Sequence, residues 1–338
     1  MKTVLVTAPG RTEVRQVEQP AAGPADVVVR VKACGICGSD GFYIHNGGIP
    51  PRMGATPLGH EPAGEVVAVG DRVAGVEVGD HIVVDPMATT DGLVGGGGAQ
   101  GALSDVLVLY DAKPGKHFRV VPREIPWHVL ALNEPMAVAY HGVNRSGAGV
   151  GAKAVVFGAG PVGLGAAIGL KSKGAAHVVV IDVVPNRLQK ALLVGADAVI
   201  NSAEEDVVTR LKTLHGEAPS HMGRPTRPDT DVYIDAAGAA AVVETALRSV
   251  KHRGVLTIVG VHKQPVPIDF QQILTSEVDI RMSMGYPTEI FEVTDSIIRD
   301  WDKYQHIVSD IVPFSDAESG LRLAATPGAT DKVVITFD

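Results

Sequence analysis

The chain has 338 residues, with 30 lysines and arginines against 38 aspartates and glutamates, a net charge of −8. That acidity argues against a nucleic-acid or anionic-membrane partner, and two cysteines rule out a disulfide scaffold. The length predicts two domains of roughly 150 residues, and a hydrophobic share of 45% argues against disorder.

The first third reads as β-rich. Residues 1–20 predict two short strands around Ala8-Pro9-Gly10, and 25–32 alternates as a strand. Further short strands are expected at 65–69, 73–76 and 81–85, punctuated by Gly70-Asp71 and Gly79-Asp80. A glycine-rich loop occupies 92–101, with Gly95 to Gly98 consecutive; a strand follows at 103–110 and a helix at 127–143.

The texture changes at Ala152. Strands at 152–157, 177–182, 198–200, 231–235, 255–259 and 279–284 alternate with helices, including one ending near Lys173 and one over 185–193. Apolar strands alternating with helices predict a parallel sheet covered on both faces, an α/β doubly wound arrangement. Residues 217–230 read as a surface loop, and the last part as a helix from Thr288 to Tyr304 followed by short strands ending at 333–337. The uncharged stretch 154–170 is shorter than the ~20 residues a membrane span needs, and Pro161 with its glycines suits a turn. No membrane partner is expected. With no apolar stretch of signal-peptide type after Met1, a reducing cytoplasm is the expected location.

Gly158-Ala159-Gly160-Pro161-Val162-Gly163 fits GxGxxG, preceded by a strand and followed by a helix. A second strand then ends in Asp182, nineteen residues after Gly163. This is the context a dinucleotide turn requires: Gly158 for the tight turn, Gly160 for backbone approach to pyrophosphate, Gly163 for helix–strand packing. Pro161 and Val162 open the helix whose N–H groups face the phosphates. Asp182 would accept the ribose hydroxyls and repel a 2′-phosphate, so NAD is favoured over NADP. Arg187, five positions on, is counted with the cofactor-binding residues.

Both cysteines lie in Cys34-Gly35-Ile36-Cys37-Gly38-Ser39-Asp40. A four-cysteine zinc site is excluded, and a redox motif fits poorly because no βαβ unit opens here. Cys37, His60 and Glu134 together offer a thiolate, an imidazole and a carboxylate, a set that leaves a catalytic zinc one open position. Their long spacing decides nothing by itself.

The local stretches resemble the zinc-dependent medium-chain alcohol and polyol dehydrogenases over nearly the whole chain. They are CGICGSD (34–40), GHEPAGEVVAVG (59–70), VGDHIVVDP (78–86), GALSDVLVL (101–109), NEPMAVAYHGV (133–143), GAGPVGLG (158–165), DVYIDAAG (231–238) and RGVLTIVGV (253–261). The resemblance implies a GroES-like β-rich catalytic domain from 1–145 and 285–338 flanking a Rossmann NAD-binding domain at 146–284. It implies that Cys37, His60 and Glu134 surround one catalytic zinc per subunit, with Cys34 outside the ligand set and Asp40 orienting His60. Ser39 would bond the substrate oxygen and pass its proton toward solvent. Glu61 enters the zinc sphere or balances its charge; in the sorbitol-dehydrogenase-like branch it is the carboxylate on zinc, with Glu134 outside. Both arrangements stay open at this point.

Three departures from the family pattern stand out. The lobe that carries a structural zinc in relatives is replaced by the cysteine-free loop around Gly95–Gly98, so no structural zinc is expected. Phe42 stands where a relay histidine is frequent, and Gly38 where some relatives place a basic pyrophosphate contact. Lys332 matches a basic cofactor-contacting position, with a surface lysine as the alternative. His45 and His141 lie near proposed site residues, Tyr43 is either a pocket-lining or a core aromatic, and His262 is among the histidines given no role. The expected reaction is zinc-dependent hydride transfer between a polyol, diol or secondary alcohol and NAD; threonine dehydrogenase, a zinc-free quinone or enone reductase, and a non-catalytic nucleotide-binding relative are the alternatives. Association as a homodimer or homotetramer is expected through an edge strand near 279–284.

Overall fold

The computed structural model describes residues 1–223 and 225–338. β1 (Lys2–Ala8) and β2 (Arg11–Gln16) form an antiparallel ribbon. β3 (Val27–Gly35) follows, then α1 (Gly38–Asn46), β4 (Thr56–Pro57), β5 (Glu61–Val69), β6 (His81–Val84), β7 (Val106–Leu109) and β8 (Phe118–Val121). The expected strand at 73–76 does not form. Residues 71–80 are turns and bends, Val73 N–H donates to Gly70 O, and Val76 is buried as a single plug rather than as part of a ladder. The helix expected at 127–143 is two helices, α2 (Trp127–Leu130) and α3 (Asn133–Ser146).

The middle of the chain runs β9 (Lys153–Phe157), α4 (Pro161–Ser172), β10 (His177–Asp182), α5 (Pro185–Leu193), β11 (Ala198–Asn201), α6 (Val207–His215), β12 (Glu217–Ala218), β13 (Arg227–Pro228), β14 (Val232–Asp235), α7 (Ala240–Ser249), β15 (Val255–Ile258), α8 (Phe270–Ile273) and β16 (Asp279–Met282). β12 and β13 pair across the segment expected to be an irregular loop, of which residue 224 lies outside the described residues. The other strands form one parallel sheet in the order β11-β10-β9-β14-β15-β16. The central strands are buried throughout, Ala154 to Phe157 and Val178 to Ile181, as expected for a sheet covered on both faces. Each such Val or Ile contributes roughly 1.5–3 kcal/mol by leaving water. The apolar stretch 154–170 is therefore a strand, a turn and a helix. No helix among the described residues is long and apolar enough to cross a membrane.

The chain closes with α9 (Ile290–Tyr304), β17 (Asp310–Pro313), α10 (Ala317–Ala325) and β18 (Val333–Thr336). Two compact units result. The first comprises Met1–Pro135 and Ile290–Asp338, the second Met136–Glu289. The first crossing falls inside α3, ten residues before the boundary expected at 145/146. The reason is packing: a Cβ on Gly165 of α4 would stand 2.6 Å from Met136 Sδ, so α3 is seated on α4 from Met136 onward.

The first unit holds a three-stranded sheet, β2-β1-β4, and a seven-stranded sheet in the order β17-β18-β3-β5-β6-β8, with β7 also on β3. Its core is built from Val4, Val29, Val31, Leu58, Leu103, Leu107, Phe118 and Ile335. The pairing of β3 with both β5 and β18 brings three distant pieces of chain to one place. Gly35 stands opposite Glu61 on one side and Val334 on the other.

Candidate active site

Cys37 caps the N-terminus of α1, a helix the sequence reading left out. The Asp40 carboxylate in its first turn accepts the Cys37 N–H through Oδ2 at 2.9 Å, a favourable place for a negative charge. Its other oxygen, Oδ1, lies 3.5 Å from His60 Nδ1. One fully buried carboxylate therefore braces two proposed ligand residues. His60 and Glu61 are placed by Gly59, which has φ +88°; a Cβ there would stand 2.8 Å from the Leu103 side chain and 2.9 Å from Cys34 Sγ. A Cβ on Gly95 would in turn overlap Gly59, so the shortened glycine-rich loop packs backbone to backbone against the residue preceding His60.

The donor atoms of Cys37, His60 and Glu61 all lie within 4.8 Å of one another. His60 Nε2 is 3.4 Å from Ser39 Oγ. Burial would lower the His60 pKa, but the facing Asp40 carboxylate and Cys37 outweigh it and hold the imidazole well above its ordinary value. Asp40 Oδ1, His60 Nδ1 and Glu61 Oε2 are buried with no hydrogen bond of acceptable geometry among the described residues. A soft sulfur, an imidazole and a carboxylate, converging with unsatisfied polar atoms, fit zinc. Glu134 sits in the first turn of α3, nearly buried, close enough to act on Lys332, but it is not a member of the three-donor cluster.

Lys332 is not a surface lysine. Only 4% exposed, its Nζ donates to Glu61 Oε1 at 2.7 Å and Ile36 O at 3.0 Å, with Oε2 2.5 Å away outside hydrogen-bond angle. Burial alone would lower the lysine pKa; Glu61, then Cys37, overcome this and keep the ammonium charged. Gly35 makes the pair possible, since a Cβ there would overlap Glu61 Oε2 and press on Lys332 Cε at 3.1 Å. Cys34, by contrast, is fully buried, donates to Gly35 O at 3.4 Å, and its thiol pKa is pushed up by burial. It stands outside the donor cluster. Phe42 is 64% exposed, His45 is exposed at the end of α1, and Tyr43 is half-buried against the first unit's core.

In the second unit, Gly158 adopts φ +94° and its N–H donates to Ile181 O at 2.7 Å. A Cβ on Gly163 would overlap Gly158 O, whereas one on Gly160 would meet nothing within 4 Å. Gly163 is thus required by packing, and Gly160 leaves open backbone where a pyrophosphate would lie, with Pro161 and Val162 starting α4. Asp182 Oδ2 accepts from Ala159 N–H at 2.7 Å, and Oδ1 from Val183 and Val184 N–H at 2.7 and 2.9 Å. Its carboxylate stays half-buried, and Arg187 is half-buried on α5. These residues fit the adenosine and pyrophosphate of a dinucleotide. Two half-buried histidines of the second unit face buried carboxylates: His141 with Glu289 at 3.0 Å, and His262 with Asp235 at 2.7 Å. The second pair was missed because spacing alone does not connect a strand end to a loop 27 residues on.

The zinc-binding dehydrogenase family model matches residues 161–299, and the alcohol dehydrogenase GroES-like domain model matches 23–112. Sorbitol dehydrogenase of Bacillus subtilis is 29% identical over 96% of this chain and 93% of its own length. (R,R)-butanediol dehydrogenase of Saccharomyces cerevisiae is 32% identical over 82% of this chain and 80% of its own. The crystal structure of 2R,3R-butanediol dehydrogenase from Bacillus subtilis superposes with a TM-score of 0.84 at 27% identity, covering 99% of each chain.

Proposed function

The chain belongs to the zinc-type medium-chain alcohol dehydrogenases, in the branch of the sorbitol and butanediol dehydrogenases, and from that premise we propose that it oxidises a polyol, diol or secondary alcohol to the ketone or aldehyde, with NAD as hydride acceptor and one catalytic zinc per subunit. The observation that carries this reading is the convergence of Cys37, His60 and Glu61. Zinc held there would supply Lewis acidity that lowers the pKa of a substrate hydroxyl, and NAD would supply the hydride acceptor.

The protein's own groups do the rest. Ser39 Oγ, beside His60 Nε2, bonds the substrate hydroxyl and hands its proton onward. Phe42 offers no acceptor, so water completes the path. Asp40 holds the His60 ring in place through Nδ1 and fixes the first turn of α1 through Cys37 N–H. Lys332 offsets the charge of Glu61 inside the fold, so we assign it to the metal residues rather than to the cofactor. Among the two carboxylates, the cluster favours Glu61 over Glu134 as the direct ligand. Asp182 takes the adenosine ribose, and the exposed Val183 and Val184 beside it supply no cation for a 2′-phosphate, which supports NAD over NADP.

Among the described residues β16 is an edge strand of the parallel sheet, with its last residue Met282 65% exposed and Met284 just beyond it 89% exposed. An exposed edge strand is a template for strand addition, which supports a homodimer or homotetramer; a solution mass of 35.2 kDa, that of one chain, would contradict it. The function itself is tested by following NADH formation with sorbitol, butanediol, threonine and simple alcohols. A polyol or diol is expected to give the highest kcat/KM, and activity is expected to disappear on chelation. A preference for threonine, or no NADH from any of them with zinc-loaded protein, would contradict the reading.

A further inference from the structure

The order of the parallel sheet reverses between β9 and β14. A dinucleotide bound at such a sheet straddles that reversal, one nucleotide over each half. Asp182 ends β10, on one half. The second nucleotide then meets the carboxyl ends of β14 and β15, where Asp235 and residues 259–262 lie.

Asp235 is fully buried, and each of its oxygens is engaged. Its carbonyl accepts from Val259 N–H at 2.9 Å and Gly260 N–H at 2.8 Å. Oδ1 accepts from Ala237 and Gly238 N–H, both at 2.9 Å, and Oδ2 lies 2.7 Å from Nε2 of His262. A nitrogen facing a carboxylate carries the ring proton. One buried residue thus ties the loop after β14 to the loop after β15. The two loops touch backbone to backbone: a Cβ on Gly238 would stand 2.6 Å from Val261 O, and one on Gly260 would overlap Gly238. The β14 loop also abuts the glycine turn, since a Cβ on Gly158 would stand 3.1 Å from Ala237. Burying a carboxylate is costly unless its bonds are complete; complete as they are here, they fix the loops in one arrangement.

We infer that Asp235 and His262 are positioning residues for the nicotinamide half of the cofactor. Asp235 anchors the His262 ring, and the ring holds residues 259–262 at the carboxyl edge of β15 where that half is received. This rests on the NAD reading above.

Titration with NADH by fluorescence, and with ADP by calorimetry, separates the two halves, because ADP reaches only the glycine turn and Asp182. Loss of the charge-assisted bond in His262→Ala is expected to weaken NADH about tenfold while ADP stays within about twofold. His262→Gln, whose amide N–H reaches Asp235 as Nε2 does, is expected to hold NADH within about twofold of the parent. His262→Asn, too short to span the gap, is expected to follow His262→Ala. Unchanged NADH affinity in His262→Ala and His262→Asn would overturn the inference. So would a parallel loss of ADP, which marks a merely structural role, or a His262→Gln protein as weak as His262→Ala. An unsubstituted protein that binds neither NADH nor ADP would instead be the failure of the cofactor reading.

Discussion

Lys332 and Glu61, 271 residues apart in the chain, form a buried ion pair with Nζ 2.7 Å from Oε1. The pair exists because β3 lies between β5 and β18, so the last strand delivers Lys332 to the side of the sheet where Glu61 begins β5. It places a fixed positive charge next to the residues proposed to hold a metal cation. On that assignment the lysine and the metal would share one carboxylate.

That sharing makes a prediction for Lys332→Met. Removing one member of a buried pair strands the other, at a cost of about 3–5 kcal/mol. In metal-free protein, the chemical-denaturation midpoint is expected to fall accordingly. Zinc is expected to recover a large part of the loss, because the cation takes over the compensation of Glu61. Equal destabilisation with and without zinc would show that the lysine does not act on the metal residues.

The two cysteines are expected to differ sharply. Cys34 is buried with a raised thiol pKa, and Cys37 is partly exposed within the donor cluster. In native metal-free protein a disulfide reagent is expected to label Cys37 quickly and Cys34 only on unfolding, with zinc protecting Cys37. Equal native rates at both positions would contradict the ligand assignment.

Asp182 is expected to set the nucleotide preference. Asp182→Asn removes the charge; its one amide oxygen can still accept from Val183 and Val184 N–H, while its NH2 then faces Ala159 N–H. The kcat/KM for NAD is expected to fall about tenfold and the NADP-to-NAD ratio to rise. An unchanged ratio would remove Asp182 from the discrimination.

Stability on acidification has an identifiable contributor in His215. Burial, then the neighbouring His177, lower its pKa to about 4; its ring bonds Thr230 at 2.7 Å and His177 at 3.1 Å. Between about pH 6.5 and 4 the unfolded chain binds a proton that the folded chain refuses, so stability falls as pH falls through that window, by on the order of 3 kcal/mol from this group. Above pH 6.5 both states are neutral and the contribution is constant. Denaturation of His215→Gln is expected to show a shallower slope across the window than the parent. A parallel slope would assign the acid sensitivity elsewhere.

Much of this was legible in the sequence where a local rule sufficed. The glycine turn and Asp182 lie in one βαβ unit, so spacing and element order locate them together. Cys37 and His60 are recognisable through the family resemblance of their flanking stretches, whereas the choice between Glu61 and Glu134 is not, because it depends on how β3, β5 and α3 come together in space. Lys332 was legible as a basic position but not as a buried one, because its surroundings depend on the pairing of strands from both chain ends. α1 was missed for a different reason: GSDGFYIHN carries two glycines and weak helix formers, and its cap at Cys37–Asp40 compensates. The strand read at 73–76 failed because a buried valine between two Gly-Asp turns imitates alternation without a partner to pair with.

Metal content decides between a zinc dehydrogenase and its alternatives. Elemental analysis of purified, active protein, taken with the kcat for a diol and NAD, is expected to give one zinc per chain, lost together with activity in Cys37→Ser and His60→Ala and retained in Glu134→Gln. Full activity from protein that contains no zinc would contradict it.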